Sequence, residues 1–179
     1  MIDLSIPITT RDHVRGPADA PVTLVEYGNY ECLHCRRAYP AIEAMRAELG
    51  DRLRFVFRHF ARVADFPMSE RAAEAAEAAY AQGKFWEMHD AIFTGPPLLH
   101  AGQLSEHARL IGLDVPRFDA EMASRLHLPR VRADLDSGVA SGVRGTPSFF
   151  VDGQPFPASW DLDGLRERLL ATVAREVAA

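Results

Sequence analysis

Cysteine is nearly absent: the 179 residues hold 2 of them. A disulfide framework is therefore excluded as the source of stability, since small secreted domains of that kind carry several bridges. A four-ligand metal knuckle is disfavoured as well, because there is no second cysteine pair to complete it. Basic charge is not in excess. Lys and Arg number 20 against 25 Asp and Glu, a formal net charge of -5. Nucleic acid and anionic membrane surfaces thus have no electrostatic footing as partners. No apolar run approaches the roughly 20 residues that cross a bilayer. The opening Met1-Ile2-Asp3-Leu4-Ser5 lacks the basic start and apolar stretch of a secretory leader. A cytoplasmic location is expected, with a periplasmic one as the alternative for a trimmed mature form. Apolar side chains are plentiful at 47%. That suffices for one domain over 1–179 with a core of its own, and a monomer is expected.

The two cysteines stand three apart, in Glu31-Cys32-Leu33-His34-Cys35-Arg36-Arg37. On a helix that spacing shares a face, close enough for a disulfide to close with little movement. At a helix start the unsatisfied N–H groups and the dipole favour a thiolate. Only Cys32 is expected to be exposed there. The pair reads as a reversible dithiol/disulfide couple. Two other readings stand beside it: half of a metal site, for which His34 is badly placed, and a static staple, which gains little across so short a loop.

Val22–Tyr27 is a β-rich apolar run that predicts a strand buried on both faces. Gly28-Asn29 breaks it. Helical spacing of Ala38, Ile42, Met45 and Leu49 predicts a helix from Cys32 to Leu49, kinked at Pro40. Leu53–Arg58 reads as a second strand, giving a parallel βαβ unit. Residues 66–142 read as an inserted helical block. Ser69 is the expected N-cap of its first helix, and Gly95-Pro96-Pro97 a stop after Phe93. Strand pattern returns at Ser148–Val151. Asp152-Gly153 marks a hairpin, and the prolines of Gln154–Pro157 confine any return strand to an edge. Leu162, Leu165, Leu169, Val173 and Val177 trace the face of a last helix, with Asp161 as its cap. The arm over 1–20 is irregular, with an added edge strand left open.

Several residues around the pair could take part in chemistry. Glu26 lies in an apolar strand six residues before Cys32. Buried, it would be held toward its neutral form and could pass a proton to the second sulfur; at a strand edge it would simply reach water. An imidazole at His34 lowers the Cys32 pKa and makes the disulfide a stronger oxidant. Arg36 and Arg37 read as a wet helix face. His89 falls on an aromatic helical face, as a packed histidine. The other histidines show no spacing that suggests a shared metal.

Four segments together resemble the DsbA-like branch of the thioredoxin superfamily. They are Val22–Tyr27 leading into Cys32-Leu33-His34-Cys35, Arg58-His59-Phe60, Phe85-Trp86-Glu87-Met88-His89 in the helical block, and Gly145-Thr146-Pro147-Ser148-Phe149-Phe150-Val151-Asp152-Gly153. The resemblance implies an α/β thioredoxin fold with a helical insertion. It implies Cys32 as nucleophile, Cys35 as resolving cysteine, His34 as the histidine before the second cysteine and Glu26 as the buried acid. It implies Pro147 as a cis-proline and Thr146 as a backbone contact for a substrate strand. Leu33 departs from the proline common at its position, and sets an apolar side chain beside the nucleophile for substrate to meet. The expected activity is thiol–disulfide exchange on protein, peptide or small-molecule disulfides, with no cofactor beyond the cysteine couple. A redox partner, glutathione among the candidates, would recycle it. The alternatives are a redox-inactive peptide-binding or chaperone module and a glutathione-dependent transferase or isomerase of the kappa-like branch.

Overall fold

The computed structural model describes residues 3–96, 99–157 and 161–177. Pro97 of the expected helix stop, and the Val177 side chain of the expected last-helix face, lie outside the described residues. The elements run β1 His13–Arg15, β2 Val22–Gly28, α1 Leu33–Leu49, β3 Leu53–His59, α2 Ser69–Tyr80 and α3 Phe85–Thr94. They continue with α4 Ala101–Leu110, α5 Val115–Ser124, α6 Leu128–Ala140, β4 Ser148–Val151, β5 Gln154–Pro155 and α7 Leu162–Val177. Packing sorts the chain into two compact units.

The first unit comprises Met1–Gly28, Arg37–Arg58 and Ser137–Ala179. It carries a mixed sheet in the order β1-β3-β2-β4-β5. β2 has a neighbour on each side and is buried at every position but the half-buried Thr23. Its unbroken apolar run is what such a central strand requires. β4 runs antiparallel to it, with Glu26 opposite Phe149 and Tyr27 opposite Ser148. The β4–β5 turn places Asp152 and Gly153 at φ 49 and 79, the two left-handed positions of a tight hairpin. Asp152 also clasps β2. Its N–H donates to the Thr23 carbonyl at 2.9 Å, and its carboxylate accepts the Thr23 N–H at 2.8 Å. Leu165, Leu169 and Val173 of α7 are buried, and Asp161 caps that helix by accepting the Gly164 N–H at 2.6 Å.

The arm before β2 does supply an edge strand, β1, antiparallel to β3. It is pinned by Arg58, 2% exposed. The guanidinium meets Asp12 with both oxygens, at 2.6 and 3.1 Å. It also donates to the carbonyls of Ile6 and Pro7 and to the Tyr27 hydroxyl. Burial works against its charge, but the Asp12 and Tyr27 bonds outweigh that and hold its pKa above the ordinary arginine value.

The second unit comprises Asn29–Arg36 and His59–Asp136. α2 packs on α3, α4 and α5, and α4 on α3 and α5. Six buried alanines in α2, from Ala72 to Ala79, let neighbouring helices come close. Ser69 is not the cap of α2. Met68 holds that position, and the Ser69 hydroxyl has no hydrogen-bond partner among the described residues. The reason is tertiary: a carboxylate from another segment occupies the end of the helix, as described below. His59 and Glu77, both buried, pair at 3.1 Å.

α1 belongs to both units, Leu33–Arg36 to the second and the remainder to the first. It runs through Pro40 as one helix, although the missing N–H there deletes one bond of the ladder. Ala38, Ile42, Met45 and Leu49 are all buried, as their spacing predicts.

Candidate active site

Asn29 organises the turn that carries the cysteines. Its side-chain oxygen accepts the Glu31 N–H at 3.0 Å, and its carbonyl accepts the Cys32 N–H at 3.1 Å. Its own N–H points at Cys35 Sγ at 3.4 Å, and its amide donates to the Phe60 carbonyl at 3.5 Å. Every polar group of this residue, 2% exposed, is therefore in use. Sequence reasoning saw Asn29 only as a strand breaker. A donor aimed at the buried sulfur favours negative charge there.

The helix starts at Leu33, one residue later than expected, with Cys32 in the capping position. The Cys32 carbonyl accepts the Arg36 N–H at 3.0 Å, the first bond of the helix. The expected exposure of Cys32 is corrected: the residue is 4% exposed and Cys35 0%. The Asn29 turn folds inward, with Asn29 and Tyr30 themselves buried, and carries Cys32 with it. Both cysteines are thus buried, Cys32 just before the start of α1 and Cys35 within its first turn. Leu33, 54% exposed, and His34, also exposed, stand open beside the pair.

The residues flanking the pair are tied down in opposite ways. Glu31 reaches α2, where its carboxylate accepts the Met68 N–H at 2.6 Å. Burial pushes this carboxyl above its ordinary pKa, while the N–H groups of Met68 and Ser69 pull the other way. Arg36 reaches the far end of α3. It donates to the carbonyls of Phe93 at 2.7 Å, Gly95 at 3.1 Å, Ile92 at 2.9 Å and Pro96 at 2.8 Å. A helix C-terminus leaves such carbonyls without helical donors, and a cation suits its dipole. The wet-face reading of Arg36 is thus overturned: the side chain is a clasp, and burial lowers its pKa. Arg37 is exposed, as read. Tyr30 adds an apolar anchor, its ring against His89 and Phe93 and its hydroxyl 3.1 Å from His89 Nδ1. His89 is the packed histidine that its helical face predicts.

The remaining candidates lie in the sheet unit. Glu26 is 4% exposed, which removes the strand-edge alternative. A Cβ on Gly28 would come within 3.1 Å of Glu26 Oε1 and 2.3 Å of the Phe57 ring, so only glycine fits where β2 ends. The Thr146–Pro147 bond is cis. Thr146 is half-buried and Pro147 buried. The turn before β4 is closed by the Ser148 hydroxyl donating to the Gly145 carbonyl at 2.8 Å.

A sheet of this order with a Cys-x-x-Cys at the start of α1 defines a thioredoxin-fold protein. The chain belongs to the thioredoxin family, whose model matches residues 9–170, and its fold is that of the DsbA structures, a thioredoxin fold with a helical insertion. BdbD from Bacillus subtilis superposes with a TM-score of 0.80 at 23% identity, over 94% of this chain and 96% of that one. A thioredoxin-like oxidoreductase from Silicibacter pomeroyi gives 0.76 at 27% identity, over 96% and 95%. Among curated proteins, the Na(+)/H(+) antiporter NhaA 1 of Salinispora arenicola is 40% identical over 175 residues, 97% of this chain but 27% of the antiporter. The chain thus spans about a quarter of the length of the curated relatives it matches.

Proposed function

We propose that this chain catalyses thiol–disulfide exchange on protein or peptide disulfides through Cys32 and Cys35. Cys32 thiolate attacks one sulfur of the substrate disulfide. That bond breaks, the leaving sulfur takes up a proton, and a mixed disulfide forms. Cys35 then attacks the Cys32 sulfur and releases the second substrate thiol. Two electrons pass to the substrate and the protein disulfide remains, to be reduced again by a dithiol partner or by glutathione. Glu26 is assigned the proton of Cys35. Leu33, Thr146 and Pro147 are assigned the contacts to the incoming chain, Thr146 through its backbone. In a compartment held reducing by glutathione the couple works as a reductase or isomerase.

The observation that carries this reading is the placement of the pair: Cys32 just before the start of α1, Cys35 within its first turn under the Asn29 N–H. Insulin reduction and refolding of a scrambled substrate test it. Wild type should be active in both, Cys32→Ser inactive in both, and Cys35→Ser should accumulate a mixed disulfide. Peptide binding untouched by Cys32→Ser, with no thiol turnover in wild type, would leave a binding module instead.

A second reading comes from the curated relatives, which are named as Na(+)/H(+) antiporters and match this chain over 84–97% of its length. On that reading the exchange chemistry serves a membrane cation–proton exchanger. Recovery of such a transporter in the mixed disulfide of Cys35→Ser, and not of Cys32→Ser, is the outcome it requires.

A further inference from the structure

Resting on the exchange reading above, we propose that Glu31 is a positioning residue that sets the redox balance of the Cys32–Cys35 couple. It does so by gripping the start of α2 while holding a negative charge one residue from Cys32.

Two helix starts meet consecutive residues here. Cys32 caps α1, and Glu31 caps α2 from 37 residues away in sequence. Each site favours an anion, but on different terms. The carboxyl takes no part in the couple, so it is the same group whether the couple is oxidised or reduced. The sulfur of Cys32 is charged only when reduced. The Glu31 charge therefore acts on one redox state and not the other. A like charge beside the thiolate disfavours it. A less stable thiolate weakens the reduced form, and a weaker reduced form makes the disulfide a milder oxidant. Nothing cancels this charge: among the described residues its partners are backbone N–H groups and no cation. The same grip fixes the turn, because Glu31 is bonded at both ends, its N–H to Asn29 Oδ1 and its carboxylate to Met68 N–H. Thus one side chain both holds the turn in place and opposes the helix dipole that activates the thiol.

The test is the disulfide equilibrium with glutathione, measured for wild type, Glu31→Gln and Glu31→Ala. Glutamine keeps an oxygen for the Met68 N–H and loses the charge. Its equilibrium should move toward the dithiol by about three- to tenfold, the size of one like-charge interaction between neighbouring side chains. Glu31→Ala should move the same way and also lower the urea midpoint, which Glu31→Gln should leave near wild type. In a Cys35→Ser background, Glu31→Gln should speed alkylation of Cys32 at neutral pH. A structural cap alone would not do that. An equilibrium for both variants within twofold of wild type, or moved toward the disulfide, overturns the proposal while leaving the exchange reading intact. A wild type that forms no disulfide at any glutathione ratio overturns both.

Discussion

Arg36 shows how little of a side chain's task is visible at its own position. Followed by a second arginine on a helix, it reads as solvent-facing charge. Its bonds run 56 to 60 residues along the chain, to four carbonyls at the end of α3. No periodicity argument reaches that far. Hydrogen bonds to a charged group contribute about 1.5–3 kcal/mol each, and bonds sharing one guanidinium do not add in full. Arg36→Met should lower unfolding stability by about 2–4 kcal/mol, read from urea denaturation, whereas Arg37→Met should change it by less than about 0.5 kcal/mol. Equal losses for the two would contradict the clasp. The displacement of Ser69 from its cap, and the part Asn29 plays beyond ending β2, were hidden from the sequence for the same reason. A serine before an alanine-rich helix is the ordinary cap, and only the arrival of Glu31 from elsewhere displaces it. The Cys-x-x-Cys, by contrast, was legible because both sulfurs and their helix are local.

The elements were the most readable level. β2, α1, β3, β4 and the hairpin at Asp152-Gly153 follow from apolar period and turn chemistry, both short-range properties. β1 was not readable, since His13–Arg15 carries no strand pattern of its own and is recruited by β3. At this scale α4 carries a pH prediction. His107 is buried there, and its Nε2 has no hydrogen-bond partner among the described residues. Burial lowers its pKa from 6.5, Glu106 opposes that shift, and the Arg36 charge adds to it. The sign follows from proton linkage: as pH falls below 6.5 the unfolded chain takes up a proton that the folded chain refuses, so folding loses free energy. The contribution is whole above 6.5 and is lost as pH falls through the depressed folded value. His107→Phe should flatten the decline in unfolding free energy between neutral and mildly acidic pH. A decline as steep in the variant as in wild type would assign it to other groups.

For the whole molecule, the direction of electron flow is a difference between two folding stabilities. A disulfide whose closure stabilises the fold resists reduction, and one whose closure strains it is an oxidant; about 30 mV corresponds to 1.4 kcal/mol for this two-electron couple. The reductase or isomerase role proposed here requires that the reduced protein be no more stable than the oxidised one. Thermal unfolding in excess dithiothreitol and after oxidation measures this directly, and a higher midpoint for the reduced form would make the protein an oxidant. The general architecture was legible from sequence because the helical block differs so clearly in composition from the strands around it. The division of labour within it was not: Asn29–Arg36 joins the helices of His59–Asp136 rather than the strand that leads into it, and that allegiance rests on Glu31, Arg36 and Tyr30. A recombinant fragment covering 59–136 would hold most of the helices and neither sulfur. Trimming the block to a short linker would strand a carboxylate and a guanidinium that flank the pair. The insertion is therefore not a cassette that homologous exchange could swap on its own, and a chimera must carry the eight residues of 29–36 along with it.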